Sequence, residues 1–462
     1  MLKKIRLDIA ESLKGTEQDY TRIPIGKAIF LLAIPMIIEM IMESVFAVVD
    51  IFFVSQLGAD AVSAVGISES IMTLVYAIGV GLGTATTAMV SRRIGEKRKD
   101  DAAFVGTQSI ILGIIGALPV LFAGIFFAKE ILTLMGGTEE ISSDGYVYTR
   151  ILLASSPVIM LLFVVNAIFR SAGDAILAMK VLWVANMLNM ILDPCLIFGW
   201  GPFPELGLEG AAWATFSGRT IAVVYQFYLL SKPNNRIRIE KRHIIFIPNI
   251  IKKLIKLSIG GIGQSLIATS SWIILVRIIA IFGANVLAGY TIAIRVLLFT
   301  LLPAWGISTA ASTLVGQNLG AGHPDRAEKT VWKTAWVNTT FLGITAILFI
   351  AFASEIIGWF SNDPTIIEEG IDCLRIVSYG YLSYAFGMIL SRALNGAGDT
   401  KTPTLINFIA FWIIEIPLAY FLAIVLEYNE TGVYYSIVIA ETILAIIAFF
   451  VFKNGKWKFK KV

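Results

Sequence analysis

Only 15% of the 462 residues are charged, 57% are apolar and the mean hydropathy is +0.78. Soluble domains carry roughly a quarter charged residues. The scarcity excludes a disordered chain, a collagen-like repeat and a nucleic-acid-binding module, and points to a polytopic membrane protein. Cysteine is nearly missing: Cys195 and Cys373 lie far apart in apolar stretches and cannot make a disulfide framework. Histidine is as scarce. His243 and His323 fall in loops, make a poor metal pair or proton relay, and are expected to be solvated. No Ser/His/Asp set shares one membrane depth, which argues against an intramembrane hydrolase. Gly79-Val80-Gly81-Leu82-Gly83 has no preceding strand and no phosphate-binding lysine, so it reads as close helix packing rather than a nucleotide loop. No cofactor and no enzymatic activity are expected. The segment 1–27 lacks the apolar core and cleavage site of a secretory signal, and reads as an uncleaved, amphipathic stretch.

What is present is a series of apolar runs, each meeting the need for about 20 residues to cross a bilayer. They fall near 28–54, 61–90, 104–127, 147–169, 176–199, 208–230, 257–282, 286–316, 334–353, 371–391, 404–426 and 433–452. Twelve spans put both termini on one side, and that side, with Lys180 at the inner end of span 5 included, carries 31 of the 37 Lys and Arg residues. By the positive-inside rule it is the cytoplasmic side of a cell inner membrane.

The chain also contains itself twice. Leu57-Gly58-Ala59-Asp60 is echoed by Phe282-Gly283-Ala284-Asn285, Val90-Ser91-Arg92-Arg93-Ile94-Gly95 by Val315-Gly316-Gln317-Asn318-Leu319-Gly320, and Ser171-Ala172-Gly173-Asp174 by Gly396-Ala397-Gly398-Asp399. The separation is the same each time: 57 is to 282 as 90 is to 315 and 171 to 396. Three gap-free matches at one offset indicate duplication. Each unit holds six spans, an even number, so the halves run in the same sense about an axis along the membrane normal. The expected protein is therefore all-α: a segment at 1–27, a first six-helix lobe at 28–230, a basic linker at 231–256, a second lobe at 257–452 and a basic tail at 453–462.

Pro35 to Gly58, with Val49-Asp50-Ile51-Phe52-Phe53-Val54, resembles the first helix of the multidrug and toxic compound extrusion (MATE) transporters. Val90 to Gly95, Phe169-Arg170-Ser171-Ala172-Gly173-Asp174, Leu192-Asp193-Pro194-Cys195-Leu196-Ile197-Phe198-Gly199 and Gly210-Ala211-Ala212-Trp213-Ala214-Thr215 are similar to that family in the same order. The resemblance implies two lobes in a V, a central cavity and export driven by proton or sodium entry; Asp193-Pro194 resembles the DinF-like branch. Members of the NorM type carry carboxylates in the seventh and tenth helices. Here span 7 has none and span 10 has only Asp372, at its outer end.

A charge at mid-membrane costs at least about 2.5 kcal/mol, so the acids within spans are functional candidates. Span 1 carries Glu39, Glu43 and Asp50. At 100° per residue, Glu43 and Asp50 lie within about 40° of Glu39, so the three form one stripe facing a cavity. The alternative is pairing with a buried arginine such as Arg219 or Arg295. Asn186, Asn189 and Asp193 share one face of span 5 by the same count, and Asp50 and Asp193 both fall in the outer half, where they can meet. The family pattern places a cation site at the positions matching Asp50, Asn189, Asp193 and Thr215. Two close carboxylates in low dielectric take up a proton or share a cation, and oxygen ligands suit sodium. Interhelical hydrogen bonding is the other use of Asn189 and Thr215. Glu415 and Glu441 are the second lobe's counterparts as cavity acids, Gln264 stands at the repeat position of Glu39, and Pro35 is the expected gating kink one turn before the acidic stripe.

The function expected is a monomeric antiporter in contact with membrane lipids, exporting amphipathic or cationic small molecules against protons or sodium. A lipid-linked saccharide flippase would need a strongly basic cavity, and a non-transporting membrane protein would use the buried acids for stability alone.

Overall fold

A computed structural model describes residues 11–13, 18–233 and 235–462. The rest of the expected 1–27 segment lies outside the described residues. Twelve helical spans follow in order: α1 (Ile25–Ser55), α2 (Ala59–Gly95), α3 (Lys99–Leu134), α4 (Glu139–Ala172), α5 (Ala175–Ile197), α6 (Leu208–Ser231), α7 (Pro248–Phe282), α8 (Ala284–Gly320), α9 (Pro324–Ala351), α10 (Pro364–Tyr379 with Tyr381–Gly396), α11 (Lys401–Val425) and α12 (Asn429–Lys453). Ten are long and apolar enough to cross a membrane, and α10 joins them as a pair bent by 52°. The remaining one, α6, is 24 residues long. At 1.5 Å per residue it reaches about 36 Å, and Arg219 at its centre lowers its apolarity.

Several helices start outside the expected hydrophobic runs, because a helix continues past the bilayer wherever its polar residues favour it. Thus α7 begins at Pro248 rather than near 257, with Pro at its first turn, where a missing N–H costs nothing. In α11, Pro417 removes a donor, and the chain widens into π-helical turns at Phe408–Glu415 and Phe421–Val425.

The duplication is visible in the contacts. Gly81 of α2 lies against Gly261 and Ile262 of α7, and Gly306 of α8 lies against Met36 and Ile37 of α1. Positions 81 and 306, like 36 and 261, are equivalent in the repeat. Nearer the termini the same exchange recurs. A Cβ on Gly95 would collide with the Gln317 carbonyl oxygen, and one on Gly320 with that of Arg92. These pairs are equivalent copies across the pseudo-two-fold axis. All of these glycine approaches between lobes lie in the half of the bundle nearer the termini, so the lobes are closed there. We expect Gly320→Val to destabilise the protein by about 1–3 kcal/mol, the usual cost of overpacking, read as a lowered midpoint of thermal unfolding in detergent.

The same end is tied by the linker and the tail. Arg236 forms an ion pair with Asp174 at 3.1 Å, donates to the Ala172 carbonyl and lies over the Tyr20 ring. Trp457 is buried and stacks on Phe452, and Lys458 meets Glu328 at 2.6 Å. That bond holds the Glu328 carboxyl below its ordinary range. Asp19 is partly buried, which raises its pKa, but bonds from Lys97 and Thr21 outweigh burial and leave it at about 2. Because its folded value is depressed, the stabilisation is present above the ordinary 3.8 and is lost only as the pH falls towards 2. His243, expected to be solvated, is instead buried: its Nδ1 accepts from the Glu240 N–H at 2.9 Å and its ring meets Phe104 edge-on at 4.8 Å. An amphipathic imidazole docks against an aromatic face when a loop folds back on a helix end, which the sequence pattern does not reveal.

Candidate functional site

A cavity of about 620 Å³ lies between the lobes, lined mainly by α1, α2, α4, α5 and α6, with α8 and α10 closing the far side. That volume is typical of small-molecule sites. The stripe on α1 faces it as the helical count requires: Glu39, Glu43 and Asp50 all line it. Two of the three accept hydrogen bonds from neighbouring helices. Glu39 is buried and its Oε1 accepts from Arg170 of α4 at 2.7 Å. Glu43 accepts from the Asn186 amide of α5 at 3.0 Å. Asp50 shares its surroundings with Glu69 of α2 and Arg219 of α6.

Behind this wall, α5 and α6 come together because their sequences permit it. A Cβ on Gly218 would meet the Ala185 carbonyl at 2.8 Å, and one on Gly210 would collide with that of Leu196. Between those two glycines, Thr215 reaches the Asn189 carboxamide, 2.9 Å away. With its nitrogen turned to Asp193 Oδ2 and its oxygen to Thr215, Asn189 satisfies both neighbours at 2.9 Å. Asp193 is fully buried, its other oxygen has no hydrogen-bond partner, and Asp50 is the charged group that acts on it. The structure therefore brings together Asp50, Asn189, Asp193 and Thr215, with Asp50 and Thr215 on the cavity surface and the other two behind it.

The second lobe differs. Glu415 is buried and accepts from Ser271 of α7 at 2.5 Å, and Glu441 of α12 acts electrostatically with it. Neither acid is among the cavity-lining residues. They sit within the C-lobe bundle, Glu415 at the end of a π-helical stretch of α11 where it meets α7. Gln264 exchanges amide hydrogen bonds with Asn395 at 3.1 and 2.9 Å. Asn395 stands at the repeat position of Arg170, so the Gln264 and Asn395 pair is the neutral copy of the Glu39 and Arg170 ion pair.

The sequence reading missed Glu69. With Tyr76 it lines the cavity beside Arg219, on which Tyr76, Glu43 and Glu69 act electrostatically. The signal was available, since Glu69 and Tyr76 are two helical turns apart and share a helix face. The lining set contains Glu39, Glu43, Asp50 and Glu69 against Arg170, Arg219 and Arg392, a mixed polarity rather than a wholly basic one.

An all-helical bundle of two repeated lobes around a central cavity with buried acids on one side defines a membrane transporter of the MATE class. The MatE family model matches residues 35–195 and again 262–421, and the chain belongs to that family of multidrug efflux transporters. It is 25% identical to the probable multidrug resistance protein YoeA of Bacillus subtilis, covering 95% of both chains. It is 26% identical to the probable multidrug resistance protein NorM of Thermotoga maritima, covering 95% of this chain and 94% of the other. A solved outward-facing structure of a multidrug resistance MATE family transporter superposes with a TM-score of 0.89 at 25% identity, covering 95% of this chain and 98% of that one.

Proposed function

We propose that the chain is a secondary active antiporter that expels amphipathic, often cationic, organic compounds in exchange for protons or sodium ions by alternating access. The observation that carries this reading is Asp193: a fully buried carboxylate with an unpartnered oxygen, set behind Asp50 and Thr215 at the wall of a substrate-sized cavity. A bare charge there is costly, so the group favours a proton or a cation shared with Asp50, Asn189 and Thr215. The oxygens of Asp, Asn and Thr are ligands that a hard cation accepts.

The closed end carries the start of α1, the linker, the C-terminal tail and most of the described basic residues, which supports placing it in the cytoplasm of a cell whose inner membrane holds the protein as a monomer among lipids. The cavity is then outward-facing. Ion binding at Asp50 and Asp193 removes negative charge from the wall and favours release of a cationic compound. Rocking of the lobes next carries the ion inward, and its loss restores the acids for a new substrate. Pro35 suits a pivot, since it precedes the Met36 contact with Gly306 and bending there moves Glu39 and Glu43 against Arg170 and Asn186.

Dye efflux from proteoliposomes under separately imposed pH and sodium gradients tests the reading and names the ion. At least one gradient should drive efflux by the unaltered protein, and Asp50→Asn should remove that dependence. Full gradient-driven efflux by Asp50→Asn would overturn the assignment.

A further inference from the structure

The cavity is not uniform in charge. Towards the end far from the termini, its wall gathers Glu43, Asp50 and Glu69 about the single guanidinium of Arg219. Its floor, at the closed end, holds Arg170 from α4 and Arg392 from α10. Arg170 is engaged by Glu39 at 2.7 Å. Arg392 has no such partner: among the described residues it makes no ion pair, and the groups that act on it are the Tyr384 hydroxyl and Arg170 itself. Two guanidiniums with one carboxylate leave the floor with an uncompensated positive charge.

The duplication does not account for this pairing. Position 170 corresponds to Asn395 and position 392 to Ala167, so the arginines come from non-equivalent sites and converge only in the assembled cavity. Further donors surround them. Asn166, one turn before Arg170, uses its carbonyl to accept from Gln226 at 2.9 Å, and its amide hydrogens have no acceptor among the described residues. Ser312 of α8 lines the same floor. Planar guanidinium forks match carboxylate and phosphate oxygens in paired, charge-assisted hydrogen bonds.

We infer that the floor of the cavity is an anion subsite in which the free guanidinium of Arg392, beside Arg170, receives the carboxylate or phosphate of an amphipathic substrate. Any cationic end of that substrate lies against Glu43, Asp50 and Glu69. The inference rests on the exporter reading of the same cavity and narrows its substrates to zwitterionic or anion-bearing compounds.

Rhodamine 110, a free carboxylic acid, and rhodamine 123, its methyl ester, present the same ring system with and without the anion. In fluorescence-polarisation titrations of the full chain in detergent, the acid should bind at least about tenfold tighter than the ester. Arg392→Gln should erase that ratio by weakening the acid alone, and Arg392→Lys should keep part of it. Retained ester binding shows that the variants are folded. Displacement of the acid by inorganic phosphate marks a free anion as the natural source, and displacement only by phosphatidylglycerol micelles marks a lipid headgroup. Equal affinity for the two dyes, or an unchanged ratio in Arg392→Gln, overturns the subsite. Failure of both dyes to move in proteoliposomes, with the binding ratio intact, would instead sink the exporter reading.

Discussion

Asp193→Asn is expected to lower gradient-driven efflux by about 5- to 150-fold while leaving substrate affinity within about threefold, the span that corresponds to losing a coupling free energy of about 1–3 kcal/mol. The substitution keeps the shape of the side chain and its hydrogen bond to Asn189, so the fold should survive. What it removes is the ability to alternate between charged and neutralised forms. An ion can shift a conformational equilibrium only by its differential affinity for the two states, and without a titrating group behind the wall that difference vanishes. Asp193 is absent from the cavity surface, so a substrate in the cavity does not touch it. Initial-rate efflux and equilibrium dye binding, measured on the same preparation, separate the two effects. A variant that lost binding as much as transport would show Asp193 to be a substrate residue instead.

The second large effect is expected at Arg219. Its guanidinium lies by Tyr76 and balances Glu43, Asp50 and Glu69 from the centre of α6. Arg219→Met leaves three acids facing one another with no cation. Breaking a buried charge arrangement from one side costs about 3–5 kcal/mol, because the remaining charges stay desolvated. The variant should therefore unfold at a clearly lower temperature, and adding Glu69→Gln should recover part of the loss. Additive rather than compensating effects in this double-mutant cycle would mean that the two residues do not interact.

Much of this arrangement was legible in the sequence, for physical reasons. A membrane imposes a length on each span, so twelve runs could be counted, and a duplication without gaps keeps its offset. The stripe on α1 followed from helical geometry, which is local. Partners were less accessible. Arg219 was named as a candidate partner, but Glu39 is held by Arg170, 131 residues along the chain, and no local rule links them. Arg170 and Arg392 each fall one residue beyond the expected ends of their runs at 169 and 391, where arginine counts as an orienting loop charge. The helices continue to Ala172 and Gly396, and the bundle closes beneath both residues, so the charges line the cavity. Glu415 and Glu441 were expected in the cavity because depth alone was used. Facing depends on the local twist, and the π-helical turns of α11 break the regular 100° count.

The neutral Gln264 and Asn395 pair has a consequence for how the first lobe is understood. It occupies the place that Glu39 and Arg170 fill across the pseudo-two-fold axis, and it joins α7 to α10, the counterparts of α1 and α4, without any charge. Each lobe thus serves as an internal control on the other: architecture is what the two pairs share, and ionic character is what only the first lobe's pair has. A chain bearing the uncharged pair in both lobes should assemble normally and yet be unable to work.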